Sequence, residues 1–352
     1  GKGVCDGPSN YLLAAYQAMP VAITVEGANI LTRSLITFAQ GALRSHPYLY
    51  KEIQACQDTD TQRGLDAFEE AFTDHAVFMV SNLFGALFHN LTGGMFGRVP
   101  DKAYGTAEWY RQLWRSSRNF AFVADMTVAV LGGGLKTKQK LTGRLADALS
   151  ELYMIACVLK RYEDDGKPEG DRHIVALCAR NGLHRFQEAL RGAVDNFPSL
   201  PVRWLMRLVT FPLGAHYKPA PDWLGQECVE LVLAPGELRD RLTRYIYVSD
   251  NPNDPTGLLE VAFTKAVAAE TAEKKLDRAV RAGQVRRVHG TDWIADAAKL
   301  GVVSDDEVRL LREVEALTAR VIGVDHFDPA EVKPHYMTPG HNARAVQSAA
   351  AE

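Results

Sequence analysis

Residues 141–166, LTGRLADALSELYMIACVLKRYEDDG, decide the fold. Leu141, Leu145, Leu149, Leu152, Ala156 and Leu159 step by four and three, Lys and Arg flank them, and the run stops at Asp164-Asp165-Gly166. That period marks one face of a helix, and over several turns it makes a seam in a bundle. The same rhythm recurs upstream, where Leu65, Phe68, Phe72, Ala76, Met79, Leu83 and Leu87 trace a second apolar face closed by Gly93-Gly94. It predicts a long helix, with His75 on its face as a satisfied core histidine. Tyr104–Leu131 predicts a third helix, ending in Gly132-Gly133-Gly134, where glycine permits a reversal. No strand precedes those glycines, so they are not a phosphate loop. Downstream, helices are predicted over 174–197, 257–282 and 305–322, with loop chemistry at 250–255 and a tail after Phe327. Strand-like alternation is scarce, and the fold class is all-α, a helical bundle.

Composition excludes several functions. The chain has 352 residues with 40 Lys+Arg against 43 Asp+Glu, a net charge of -3, which gives no global attraction to nucleic acid or anionic lipid. The basic run 284–289 is too short to argue for nucleic-acid binding. Five scattered cysteines without CxxC or Cys/His spacing predict reduced thiols in a cytosolic protein. No apolar run approaches the roughly 18 to 20 residues of a spanning helix, and no signal-type leader opens the chain. Glu69-Glu70 and Glu163-Asp164-Asp165 read as solvated acids, and no metal site is expected. Gly1-Lys2-Gly3 is a glycine-rich loop with no preceding element to close, which reads as a cut end.

One passage breaks the helical rhythm: residues 19–33, MPVAITVEGANILTR. Glu26 follows six largely apolar residues and precedes a glycine. Apolar surroundings disfavour a carboxylate and raise its pKa, the tuning a general base near neutral pH needs. The alternative is that Glu26 opens the next helix, favoured there by the helix dipole alone.

Gly1-Lys2-Gly3, Tyr16, and Val25-Glu26-Gly27-Ala28-Asn29 followed by Arg33 resemble the paired signatures of acyl-CoA dehydrogenases. The run 23–34 is most similar to the bacterial long-chain branch, which carries an extra C-terminal helical domain. The likeness continues through Leu131–Lys136, Leu159–Tyr162, Phe211–Tyr217 and Asn253–Leu259. Two positions depart from the pattern: Ala28 replaces the usual Thr, and Gln17-Ala18-Met19-Pro20 replaces an Arg-Asp-Ala-Arg stretch.

The resemblance implies that Glu26 removes the proton α to the thioester carbonyl of an acyl-CoA while a hydride passes from the β carbon to FAD, giving a trans-2-enoyl-CoA. It implies that the Glu26 backbone N–H helps hold the thioester oxygen, that Gly27 lets substrate approach, and that Gly1 and Gly3 approach flavin. Residues 1–56 then end the family's C-terminal helical domain, 57–327 form the additional helical domain, and 328–352 are a tail. The implied partners are acyl-CoA, an electron-transfer flavoprotein and further copies of the chain. Localisation is cytoplasmic, with the acid-free, Arg- and Trp-bearing stretch 197–218 suited to peripheral contact with the inner face of the membrane. The alternatives are an acyl-CoA oxidase-like enzyme and a non-catalytic helical module for oligomerisation or membrane docking. The family's N-terminal helical and middle β domains have no counterpart in these residues. The isolated polypeptide is therefore predicted to bind FAD weakly or not at all and to lack turnover. Flavin absorbance retained stoichiometrically by the purified chain would contradict this.

Overall fold

The computed structural model describes residues 9–25, 29–101, 103–288 and 290–325, and among these there is no strand. In chain order the helices are α1 (Tyr11–Val25), α2 (Asn29–Leu31), a π-helical segment Thr32–Gln40, α3 (Gly41–Ser45), α4 (Leu49–Cys56), α5 (Thr61–Leu91) and α6 (Ala107–Leu131). They continue with α7 (Gln139–Asp164), α8 (Arg172–Asp195), α9 (Leu200–Thr210), α10 (Asp222–Leu233), α11 (Glu237–Thr243), α12 (Pro255–Arg281), α13 (Trp293–Lys299) and α14 (Asp305–Ile322). The all-α expectation holds. Residues Ile23–Arg239 form one compact unit; the described parts of 1–22 and 240–352 belong to a second.

The core of the first unit is the seam read from the sequence. Leu145, Leu159 and Leu190 are fully buried where α7 and α8 pack together. The two backbones come close at Gly182, where an added Cβ would lie 2.7 Å from Ile155 Cγ1. α6 ends at Leu131, and Gly132, at φ 47°, turns the chain into a short 3-10 turn before α7. The helix starts at Ala107 rather than Tyr104, because Gly105 adopts φ 84°, a value helices do not contain.

α5 departs from its predicted orientation. Leu83 and Leu87 pack on the core, but Leu65 and Phe72 are exposed, and the buried positions are Gly64, Ala71, His75, Asn82, Ala86, His89 and Asn90. Small residues let α4 and α6 come close, and the polar ones bond across: Asn90 Nδ2 donates to Asn119 Oδ1 at 2.6 Å and Asn82 Nδ2 to Asp125 Oδ2 at 3.4 Å. Large apolar side chains therefore stay outside, Val77, Val80, Phe84 and Phe88 among them. Thr61–Leu91 and Ala107–Thr137 are long and apolar enough to cross a membrane by length and composition, which corrects the expectation that no segment is. Their apolar residues are interleaved with polar ones, Ser81, Asn82 and His89 in the first and Ser116, Asn119 and Asp125 in the second, so no unbroken run betrays them. Both helices carry buried polar partners for each other, as helices of a packed bundle do.

In the second unit α12 packs on α14, burying Ala269, Leu276, Ala279, Leu311 and Val314, with Ile294 and Ala297 of α13. Side chains start these helices as capping chemistry requires. Asp254 accepts from Thr256 N at 3.0 Å with Pro255 following, and Ser304 and Glu307 form a reciprocal capping box. Gly257 sits under the 249–251 loop: a Cβ there would lie 2.3 Å from Asn251 O and 2.6 Å from Ser249 O. Both obstacles are backbone, so Gly257→Ala should destabilise this unit by about 1–3 kcal/mol, read as a lower urea midpoint at unchanged slope.

Candidate functional site

Glu26 and Gly27, like Gly1 and Gly3, lie outside the described residues. What is described is the chain on both sides. α1 runs helically through Pro20 to Val25, so the expected break in the rhythm does not start at Met19. Helical structure resumes at Asn29 and continues to Ser45 through the π-helical segment. Met19, Val21, Ile30 and Leu31, the apolar flanks of the glutamate, are exposed in this chain.

The segment that follows Glu26 is seated on α7. Ser34 and Phe38, one turn apart, are buried, and Phe38 meets Phe120 edge-on with ring centroids 6.2 Å apart. Thr142 Oγ1 donates to Ser34 O at 2.6 Å. Arg33 grips Asp147 with both arms, Nε to Oδ1 at 2.6 Å and Nη2 to Oδ2 at 2.5 Å, and this hydrogen bonding raises the Arg33 pKa. The guanidinium lies over Gly143, whose hypothetical Cβ would be 2.7 Å from Arg33 Nη1. Gly143 and Asp147 are one turn apart on α7 and act as floor and anchor for the arginine that ends the Glu26 run. The pair is about half exposed, so its worth lies in geometry more than in energy, roughly 0–1 kcal/mol. Sequence reasoning noted Arg33 but not its receptor, since 114 residues separate it from Asp147.

Behind this seat is a buried polar centre. His46, at the end of α3, places Nε2 2.9 Å from Asp125 Oδ1, and its Nδ1 accepts from Tyr48 N and Leu49 N, each at 3.2 Å. That fixes the tautomer: Nε2 carries the proton and gives it to the carboxylate. His75 Nδ1 lies 2.7 Å from Glu52 Oε1. His75 is buried as expected, but only half satisfied, because its Nε2 has no partner. His46, His75 and Asp125 bring ligand-type atoms within 4.8 Å of one another. Yet both nitrogens of His46 are committed, one to backbone donors and one to Asp125, so coordinating a cation would cost the bonds that hold this corner. The trio is a clamp joining α3, α5 and α6. Glu163 is not simply solvated: burial first, then this carboxylate, pushes the Tyr110 hydroxyl up to about 12. Cys56, Cys157, Cys178 and Cys228 are free thiols, as the sequence implied.

The 197–218 stretch contains α9, whose Leu200, Trp204 and Leu208 form an exposed ridge at spacing four. Its arginines are engaged with the protein. Arg203 donates to Phe197 O at 3.0 and 2.6 Å, and Arg207 reaches Asp195 at 3.2 Å.

Helices packed pairwise around a leucine seam, together with a second helical unit, define an all-α protein. Residues 43–327 match the family model for the C-terminal domain of bacterial-type acyl-CoA dehydrogenases, and the chain belongs to that family. No solved structure matches it. The matched stretch begins downstream of Glu26.

Two measurements follow from this geometry. Gly143→Val should push Arg33 off its seat and speed amide exchange across 32–40 while leaving exchange in α8 unchanged. His89, whose Nε2 accepts from Trp114 Nε1 at 3.1 Å, has its pKa lowered by burial, then by Arg118 and Arg115. A base depressed below its ordinary 6.5 favours the folded state at higher pH, so stability should fall as pH drops through 6.5. His89→Gln should flatten that dependence in urea melts between pH 5 and 8.

Proposed function

We propose that this chain supplies the base-bearing end and the additional helical domain of an FAD-dependent acyl-CoA dehydrogenase of fatty-acid β-oxidation, acting on long-chain acyl-CoA. The carrying observation is positional. The Glu26 run directly precedes the family-matched region, and its closing Arg33 is seated on α7 within that region. On this reading residues 1–56 complete the catalytic helical domain, 57–327 form the additional domain, and 328–352 are its tail.

The chain's own part in the chemistry is the proton. Glu26, as carboxylate, takes the proton α to the thioester carbonyl, and its backbone N–H donates to the carbonyl oxygen as enolate charge develops. Gly27 keeps the backbone bare where the thioester passes. Anchoring the following helix on Gly143 and Asp147 limits how far the carboxylate can wander from the reacting carbon. None of four cavities among the described residues, of about 360 to 590 Å³, takes a lining residue from 9–45, the segment flanking Glu26. Flavin binding is assigned to the domains this chain does not contain, with Gly1 and Gly3 as its contribution. Electrons leave through an electron-transfer flavoprotein; hydrogen peroxide formation in air would instead place the enzyme with the oxidases.

The test uses the complete gene product, read from the frame upstream of Gly1. Glu26→Gln should retain flavin and acyl-CoA binding while kcat falls by roughly 10²- to 10⁴-fold, the range of a lost general base. Retention of more than a tenth of the activity would remove Glu26 from the role.

The α9 ridge favours a second reading, in which the additional domain docks on a membrane surface. Leu200, Trp204 and Leu208 are each more than half exposed. Trp204→Glu with Leu208→Glu should abolish flotation with anionic vesicles without changing the melting temperature. Equal recovery of both proteins would end this reading.

A further inference from the structure

The Phe211–Tyr217 motif has no place in the glutamate chemistry, yet its loop closes one side of a cavity of about 370 Å³. The cavity is lined by Glu108, Trp109 and Arg115 of α6, Arg180 of α8, and His216 and Lys218 of the loop. Its charge is lopsided, with three permanent cations facing one carboxylate.

Arg115 is the informative member. It is 7% exposed, yet among the described residues no carboxylate pairs with it. Its Nε donates to Asn90 Oδ1 at 2.7 Å, and its guanidinium carbon lies 5.6 Å from the centre of the Tyr217 ring. Asn90 is itself fixed by a 2.8 Å bond to Val209 O. A largely buried guanidinium whose hydrogen bond goes to a neutral partner is costly, and an anion in the cavity it lines would offset that cost. The neighbouring His89, whose pKa is lowered partly by Arg118 and Arg115, senses the same positive field.

The loop is built rigidly around this point. Gln187 Oε1 accepts from both His216 N and Tyr217 N, at 2.8 and 2.9 Å, while Gln187 Nε2 and His184 Nδ1 donate to Tyr217 O, each at 3.1 Å. The half-buried Tyr217 donates its hydroxyl to Gln112 Oε1 at 2.8 Å. His216 and Lys218 thus flank a residue whose backbone and ring are both pinned, so their positions at the rim are set before any ligand binds.

We propose that this cavity binds a phosphate group, with Arg115 at its floor and Arg180 and Lys218 at its rim. Two positive charges in excess of Glu108 match a phosphate dianion better than a monocarboxylate, and guanidinium forks fit its oxygens. Trp109, with Arg180 6.0 Å from its ring centre, offers a flat wall to an aromatic group carrying the phosphate. The cavity takes no lining residue from the 19–34 run, and the proposal survives if the Glu26 assignment fails.

The test is calorimetric titration of the 352-residue chain at low salt with inorganic phosphate and, separately, with adenosine monophosphate. Saturable 1:1 binding is expected, weakened at least about tenfold by Arg180→Glu and by Lys218→Glu, each removing a charge-assisted contact. Both residues are exposed, so ligand-free melting should not move. Arg115→Met should abolish binding; because it also removes the 2.7 Å bond to Asn90 Oδ1, its melting is checked first, and the exposed Arg180→Glu and Lys218→Glu variants carry the test independently of stability. Tighter binding of the nucleotide, with tryptophan quenching lost in Trp109→Leu, assigns the phosphate to a phosphorylated aromatic molecule; equal binding assigns it to free phosphate. No saturable binding of either probe, or binding indifferent to Arg180→Glu and Lys218→Glu, overturns the proposal.

Discussion

α7 is the surface on which the first unit is organised. One of its faces carries Leu145, Leu152 and Leu159 into the core, where Gly182 lets α8 come close enough to press on Ile155. Another carries Thr142, Gly143 and Asp147, which take the Ser34 carbonyl and the Arg33 guanidinium. Apolar burial holds α7 in place at about 25 cal/mol per Å², and directional bonds use that fixed helix to position the chain that follows Glu26. The first interaction is large and non-directional; the second is small and geometric. The base role proposed for Glu26 would draw on both, since a strong core alone does not aim a side chain.

Between α5 and α6 the unit uses a different chemistry. Asn82, Asn90, Asn119, Arg115 and Asp125 are buried together and bond mainly to one another. Each would be costly alone and is tolerable because its partners are preformed. This polar layer draws His46 inward to Asp125, ties the end of α3 to α6, and turns the large apolar side chains of α5 outward. It also leaves Arg115 with a neutral partner only, and so makes a cavity that favours an anion.

Much of this was legible in the sequence where the period of hydrophobicity and the local terminators agreed. The α7 seam, the Gly132 reversal and the bounds of α14 at Asp305 and Ile322 were read within a residue or two, because spacing and caps are local properties. The face of α5 was misread for the same reason. Periodicity reports where apolar residues lie, not which side the neighbours occupy, and Asn82 and Asn90 find partners 43 and 29 residues away. For the site, the run 23–34 was recognisable as a motif, and Arg33 belonged to it. Gly143 and Asp147 looked like ordinary helix residues and acquired a role only through contact.

By itself, then, the sequence determined the helical class, the main helices and their ends, the reduced thiols, and the kinship carried by ordered motifs, since all of these are written in composition, spacing and residue identity. Tertiary structure alone decided which polar residues are buried in pairs, where Arg33 is anchored, and that Arg115, His216 and Lys218, spread over about a hundred residues of chain, line one cavity. The physical reason is that hydrogen bonds and unpaired charges derive their meaning from what surrounds them, and those surroundings exist only after the leucine seam has closed.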